Sequence, residues 1–227
     1  MTTDALAKSH DSESFNRSYI GRRKDLLALV VDAPSRVLEI GCALGATGGY
    51  LKAQHGSTVV GVEIDERMAE VARTHLDQVI VGDLNRTSLL DLVGDQRFDL
   101  IFFGDVLEHL IDPWATLAAA RALLAAEGRI IVSLPNINHI TTLASLVFRQ
   151  RWPYRDRGLH DRTHLRFFTR KNLLELYDSA GLEIEAENRN LRIIDPVASV
   201  NVVAKLFDFP PLRSYFTYQY LHRLRVR

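Results

Sequence analysis

A short apolar run that breaks into a glycine-rich turn constrains this chain more than any other stretch. Val37-Leu38-Glu39-Ile40 is followed by Gly41-Cys42-Ala43-Leu44-Gly45-Ala46-Thr47-Gly48-Gly49. A compact apolar run bounded by a turn reads as a buried strand. The glycines let backbone come close to a ligand, because a side chain would block the approach and some turn positions need positive φ. Tyr50 to Gln54 then continues as a helix.

The next apolar run, Thr58 to Val62, ends in an acid, Glu63. That acid lies roughly 20 residues beyond the turn, the interval at which a Rossmann-like unit sets a carboxylate against ribose hydroxyls. Glu39 separates this turn from a dinucleotide site. It stands inside the strand, two residues before the first glycine. A carboxylate there repels pyrophosphate and attracts a cationic group.

Composition limits the alternatives. A length of 227 residues with 47% hydrophobic content suits one α/β domain with a sizeable core. Formal net charge is zero, so no global field favours nucleic acid, and none is expected as a partner. Cys42 is the single cysteine, which excludes an intrachain disulfide and fits a reducing cytoplasm. No apolar run approaches the roughly 18 residues of a membrane span. Residues 1–14 are polar, lack a signal-peptide core and are expected to be disordered. The expected location is the cytoplasm.

Periodicity predicts a helix over Phe15–Val31, ended by Pro34, and another over Glu66–Leu76. Strands are expected at Gln78–Val81, Arg97–Phe103 and Gly128–Leu134, with a helix from Pro113 to about Ala125 between the last two. This alternation argues for a parallel sheet flanked by helices. Farther on, Asn136–Phe148 and Arg170–Ala180 read as helices, with Thr169 as a cap. Leu182–Leu191 and Ser214–Val226 read as strands, separated by a short helical excursion over residues 195–212.

The segments VLEIGCALG, VVGVEID, GDL at 82–84, FDLIFFGDVLEHL, GRIIVSLPN and HDRTHLRFFT resemble those of class I S-adenosylmethionine-dependent methyltransferases. The likeness is greatest to the small-molecule group of ubiquinone-type and sugar O-methyltransferases, and it runs from about Tyr19 to the end. Glu39-x-Gly41-x-Ala43-x-Gly45 follows the E/D-x-G-x-G-x-G pattern and departs from it at Ala43, where a slightly tighter site is expected. The resemblance implies one domain over residues 15–227, a Rossmann-like doubly wound α/β fold, and a seven-stranded sheet, mostly parallel with an antiparallel last strand. It implies S-adenosyl-L-methionine as cofactor and S-adenosyl-L-homocysteine as product. Glu39, Gly41, Cys42, Ala43 and Gly45 then surround the cofactor, and Glu63 accepts from the ribose diol. Asp83 takes the adenine amino group, Ile64 and Leu84 pack on its faces, and Asp105 and Val106 lie under the methionine moiety.

His109, just after the fourth strand, is one candidate for the base that deprotonates a hydroxyl acceptor; a His160–Asp161 pair is the other. Residues 149–170 carry seven arginines against two acids, Asp156 and Asp161. Such a loop, centred on 149–168, is expected to be mobile and to close over an anionic or glycosylated small-molecule acceptor. Tyr19, Arg155, Arg157, Arg162 and His164 are the expected substrate contacts. No metal is expected, since His160, Asp161 and His164 lack an evident fourth ligand. A nicotinamide oxidoreductase is disfavoured by Glu39 and by the DVLEHL segment. An N-methyltransferase or an RNA or protein methyltransferase is disfavoured because Gly104-Asp105-Val106-Leu107 stands where the Asn/Asp-Pro-Pro-Tyr motif of amino-group methylation would be. A non-catalytic cofactor-binding subunit is the remaining alternative.

Overall fold

The computed structural model describes residues 21–195 and 198–227. The expectations for residues 1–14, for Tyr19 and for the start of the first helix lie outside the described residues. The elements run α1 (Lys24–Leu27), β1 (Arg36–Ile40), α2 (Ala46–His55), β2 (Thr58–Glu63), α3 (Glu66–Ala72) and β3 (Gln78–Val81). They continue with α4 (Leu89–Val93), β4 (Phe98–Gly104), a 3₁₀ turn (Leu107–His109), α5 (Pro113–Ala122) and β5 (Leu124–Pro135). The rest is α6 (Ile140–Arg149), α7 (Arg170–Ser179), β6 (Leu182–Leu191), a 3₁₀ helix (Ser199–Phe207), α8 (Arg213–Phe216) and β7 (Thr217–Val226).

Seven strands form one sheet in the order β3-β2-β1-β4-β5-β7-β6. β1 pairs in parallel with β2 and β4, and β2 with β3, while β7 runs antiparallel to β6. This is the mixed α/β arrangement expected from the sequence. The inner strands are buried on both faces, which is why they read as continuous apolar runs: Val37, Leu38, Val59, Phe98, Ile101 and Phe103 have essentially no exposed surface. Strand order reverses between β1 and β4, and open α/β sheets bind ligands at the carboxyl ends of strands at such a point.

Several boundaries differ from expectation. The first helix is a single turn at Lys24–Leu27 in its described part, shorter than the expected run to Val31. α5 stops at Ala122 and β5 begins at Leu124, earlier than the expected Gly128. Alanine favours helix, but sheet pairing overrides that weak preference. α4 was not anticipated, although Ser88 caps it by accepting the Asp91 N–H at 3.2 Å. The final strand starts at Thr217, because residues 213–216 turn helically.

The chain divides into two compact units. One comprises residues up to 104 with 119–131, and the other comprises 105–118 with 132–227. In the first, two glycines are forced by close packing. A Cβ on Gly48 would lie 2.6 Å from Glu39 Oε2, and one on Gly61 would lie 2.6 Å from Cys42 Sγ. In the second, the arginine-rich segment, outside helix and strand over most of its length, is held by hydrogen bonds. Arg155 N–H donates to His160 O and Arg162 N–H to Arg155 O, both at 2.9 Å. Leu165 and Arg166 donate their N–H groups to the Glu108 carbonyl at 2.8 and 2.9 Å. Leu159, His160, Asp161 and Phe168 are buried, while the arginines at 149, 151, 155, 157, 162 and 170 face outward.

Candidate active site

In the first unit the turn after β1 follows the chemistry of its residues. Gly41 and Gly45 have φ of 69° and 76°, and Gly45 stands at the N-terminus of α2. Ala43 also takes a left-handed φ, 48°. The alanine therefore also brings backbone strain, since an L-residue there costs on the order of 1–2 kcal/mol. Ala43 N–H donates to Glu63 Oε2 at 2.7 Å, and Ile64 and Asp65 N–H donate to Glu63 Oε1 at 2.9 and 3.0 Å. Glu39 Oε2 accepts the Gly48 N–H at 2.9 Å. Burial, together with repulsion from Glu63, pushes the Glu39 carboxyl up to about 8, against the help it receives from Gly48 and Thr47. Burial also raises the Cys42 thiol, so it is inert at neutral pH.

Ile64, 65% exposed at the end of β2, presents open apolar surface. Asp83 opens a turn, accepting the Asn85 N–H at 2.9 Å, with Arg86 at 3.3 Å. Leu84 beside it is half-buried.

In the second unit, Asp105 has φ 59°. Its N–H donates to Ser133 Oγ at 3.1 Å, and its Oδ1 accepts the Ser133 hydroxyl at 2.9 Å and the Gln219 amide. Val106 follows, half-buried, and its carbonyl accepts the His109 N–H at 2.9 Å. His109 Nδ1 lies 3.2 Å from Thr163 O and 3.1 Å from Thr163 Oγ1, and that hydroxyl donates to Asp161 Oδ1 at 2.7 Å. Burial opposes ionisation of Asp161, but the Thr163 hydrogen bonds and the nearby His164 and His109 hold it below its ordinary value.

His164 stacks edge-on to His109, with ring centroids 4.8 Å apart. Burial and His109 depress its pKa to about 4, so it is neutral at physiological pH. Donor atoms of Glu108, His109 and His164 all lie within 4.8 Å of one another, a grouping able to hold a cation. His160 and Asp161, which the sequence sets beside His164, are not in this group.

His160 is 1% exposed and its Nε2 lies 3.0 Å from Thr142 Oγ1. The expected His160–Asp161 pair is not formed: Asp161 reaches His109 through Thr163, and His160 faces Thr142. Arg155 is paired with Asp195 at 3.2 Å and Arg162 with Asp156 at 2.8 Å, while Arg157 is exposed. Glu108, Ser133, Thr163, Asp195 and Gln219 were missed. Only Thr163 carried a local signal, an Asp-x-Thr turn. Gln219 meets Asp105 across 114 residues of chain.

A family model described as a methyltransferase domain matches residues 12–187. The ubiquinone biosynthesis O-methyltransferase of Cereibacter sphaeroides is 33% identical over 182 residues, spanning 77% of this chain and 70% of that protein. The Coxiella burnetii protein of the same name is 28% identical over 151 residues, spanning 65% of this chain and 63% of its own. The chain belongs to the class I S-adenosylmethionine-dependent methyltransferases. Solved S-adenosylmethionine-dependent methyltransferases share the fold. The one from Thermotoga maritima has a TM-score of 0.61 at 21% identity, covering 92% of this chain and 89% of its own. The one from Mesorhizobium loti has 0.61 at 17%, covering 89% and 96%.

The first unit of this methyltransferase fits the cofactor of its family. Glu39, whose pKa burial and the nearby Glu63 raise, is a carboxyl whose ionised form would suit the cationic amino-acid end of that cofactor and oppose pyrophosphate. Glu63 would meet the ribose. Three backbone donors already occupy it, out of about four lone-pair positions on a carboxylate. That leaves a lone-pair position on Oε2 open to a hydroxyl. When bound, the cofactor supplies an electrophilic methyl group.

Proposed function

We propose that this methyltransferase methylates a hydroxyl group of a small, anionic acceptor, with His109 as the base. The observation that carries this reading is the bond from His109 Nδ1 to the Thr163 carbonyl. A carbonyl only accepts, so Nδ1 bears the proton and Nε2 is the basic nitrogen. Thr163 is held in turn by Asp161, and this chain fixes the imidazole in the tautomer that a proton acceptor requires. Asp161 is thus a positioning residue. The protein's remaining work is to align the hydroxyl and exclude water.

The relatives named for O-methylation in ubiquinone biosynthesis support oxygen as the nucleophile. The exposed Arg149, Arg151 and Arg157 support an anionic acceptor, such as a phosphate-bearing or nucleotide-linked sugar or a natural product with a carboxylate. Among the described residues no helix is long and apolar enough to cross a membrane. A reducing cytoplasm suits the buried thiol of Cys42.

The test is formation of S-adenosylhomocysteine from S-adenosylmethionine with a panel of hydroxylated acceptors, phenolic carboxylates and nucleotide sugars among them. Turnover with an amine panel and none with any hydroxyl would overturn the reading.

A further inference from the structure

The second unit contains a cavity of about 370 Å³ between α6, residues 153–155 with His160, and residues 194–195. That volume falls within the roughly 300–1,000 Å³ of small-molecule pockets. None of the residues assigned above to the cofactor lines it, and neither do His109, Thr163 or Asp161. Its walls are apolar, from Ala144, Phe148, Pro153 and Ile194, and Arg149 and Arg155 bring positive charge to it. One acid, Asp195, lines it, and that carboxylate is engaged by Arg155 at 3.2 Å and by the Tyr218 hydroxyl at 2.6 Å. The balance therefore favours an incoming anion.

Two further features mark this wall. Phe148 is 84% exposed beside Arg149, an aromatic ring left in water. His160, also on the cavity wall, is neutral because burial lowers its pKa, and its Nδ1 is buried without a hydrogen-bond partner. The wall is also joined to the proposed base. His160 is followed by Asp161, which binds Thr163, which binds His109.

We propose that this cavity holds the non-reacting end of the acceptor, an apolar body that carries a carboxylate or phosphate. The inference rests on the reading of His109 as the base of a hydroxyl methyltransferase. Ala144, Phe148 and Ile194 take the apolar body, and Arg149 takes the anion. Arg155 supplies field while it stays paired with Asp195.

The cavity is tested on the full chain by the fluorescence of Trp152, whose ring centroid lies 5.2 Å from that of His160. The probes are octyl phosphate below its micellar concentration, octanol and inorganic phosphate. Octyl phosphate should bind saturably, and octanol should bind about tenfold more weakly or worse, since it lacks the charge-assisted contact. Inorganic phosphate should not saturate. Ala144→Trp, which fills the cavity, should abolish octyl phosphate binding. Arg149→Glu, at an exposed position, should weaken it by about tenfold or more without threatening the fold. Both variants should bind S-adenosylhomocysteine as the unmodified protein does, by calorimetry. Equal binding of octanol and octyl phosphate, or octyl phosphate binding that survives both substitutions, would overturn the proposal. Binding of S-adenosylhomocysteine without octyl phosphate sinks the cavity alone. Hydroxyl turnover that survives loss of His109 sinks the parent reading, whatever the cavity does.

Discussion

Ala43 donates its backbone N–H to Glu63 Oε2 at 2.7 Å while its own φ is held at 48°. The bond ties the glycine-rich turn to the end of β2, and it does so from a backbone region that an L-residue enters at a cost. Ala43→Gly should relieve that strain, partly offset by the greater freedom of glycine in the unfolded chain. The expected gain is about 1 kcal/mol, seen as a rise of roughly 2–4 °C in Tm for a chain of this size. A fall in Tm would mean that the alanine methyl group packs usefully.

Glu63 should be sensitive even to its closest analogue. Both of its oxygens accept backbone N–H groups, so the amide of Gln would set a donor against a donor. Glu63→Gln should therefore destabilise the ligand-free protein by roughly 1–3 kcal/mol, the cost of an unsatisfied buried group. Urea denaturation reads this directly. Cofactor affinity should fall in parallel, and more in Glu63→Ala. A Gln variant as stable as the parent would show that the turn re-forms without the carboxylate.

Glu39 predicts a pH dependence of definite sign. Its carboxyl titrates near 4.5 in the unfolded chain and near 8 in the folded one. Between those values the folded protein binds more protons, so stability declines as pH rises through the interval. Glu39→Gln retains an acceptor for the Gly48 N–H and removes the titration. Its stability relative to the parent should improve from pH 5 to pH 8.5 in denaturation experiments. A cationic ligand favours the ionised form, so S-adenosylhomocysteine affinity in the parent should climb between about pH 6 and 8, by at most about tenfold per unit. A flat profile would place the ligand's ammonium away from Glu39.

The two histidines should separate cleanly. His109→Ala should lower kcat by roughly 10²-fold or more, the range for loss of a general base, with cofactor affinity unchanged. Thr163→Val, which removes the hydroxyl link to Asp161 but keeps the carbonyl, should lower kcat less and shift its pH profile. His160→Ala should lower stability and weaken acceptor binding with little effect on kcat, since the ring is buried against Thr142 and Trp152 on the cavity wall. Retention of full kcat in His109→Ala would point to an acceptor already ionised.

Much of the nucleotide-binding half was legible because its determinants are local. The apolar runs of β1, β2 and β4, the positive-φ glycines and the acid closing β2 fall within a few residues of the elements they define. The neighbourhood of His109 was legible only as a list of polar residues. Thr163 lies 54 positions from His109, and the hydrogen bond between them depends on how the 155–166 segment folds back onto Glu108. Periodicity does not encode such a meeting, which is why the pairing of His160 with Asp161 was expected in its place.

The amino-acid sequence by itself determined the class of fold, the cofactor and the turn that approaches it. Hydrophobic periodicity and glycine conformational freedom are properties of short stretches, and burial then follows from pattern. Only the tertiary structure decided which acid reaches which histidine, that the arginine-rich segment is anchored, and that Ser133 and Gln219 grip Asp105. Those outcomes turn on side chains from distant parts of the chain meeting within hydrogen-bonding distance. A displacement of about 1 Å is enough to lose such a bond, and no local propensity specifies position that finely.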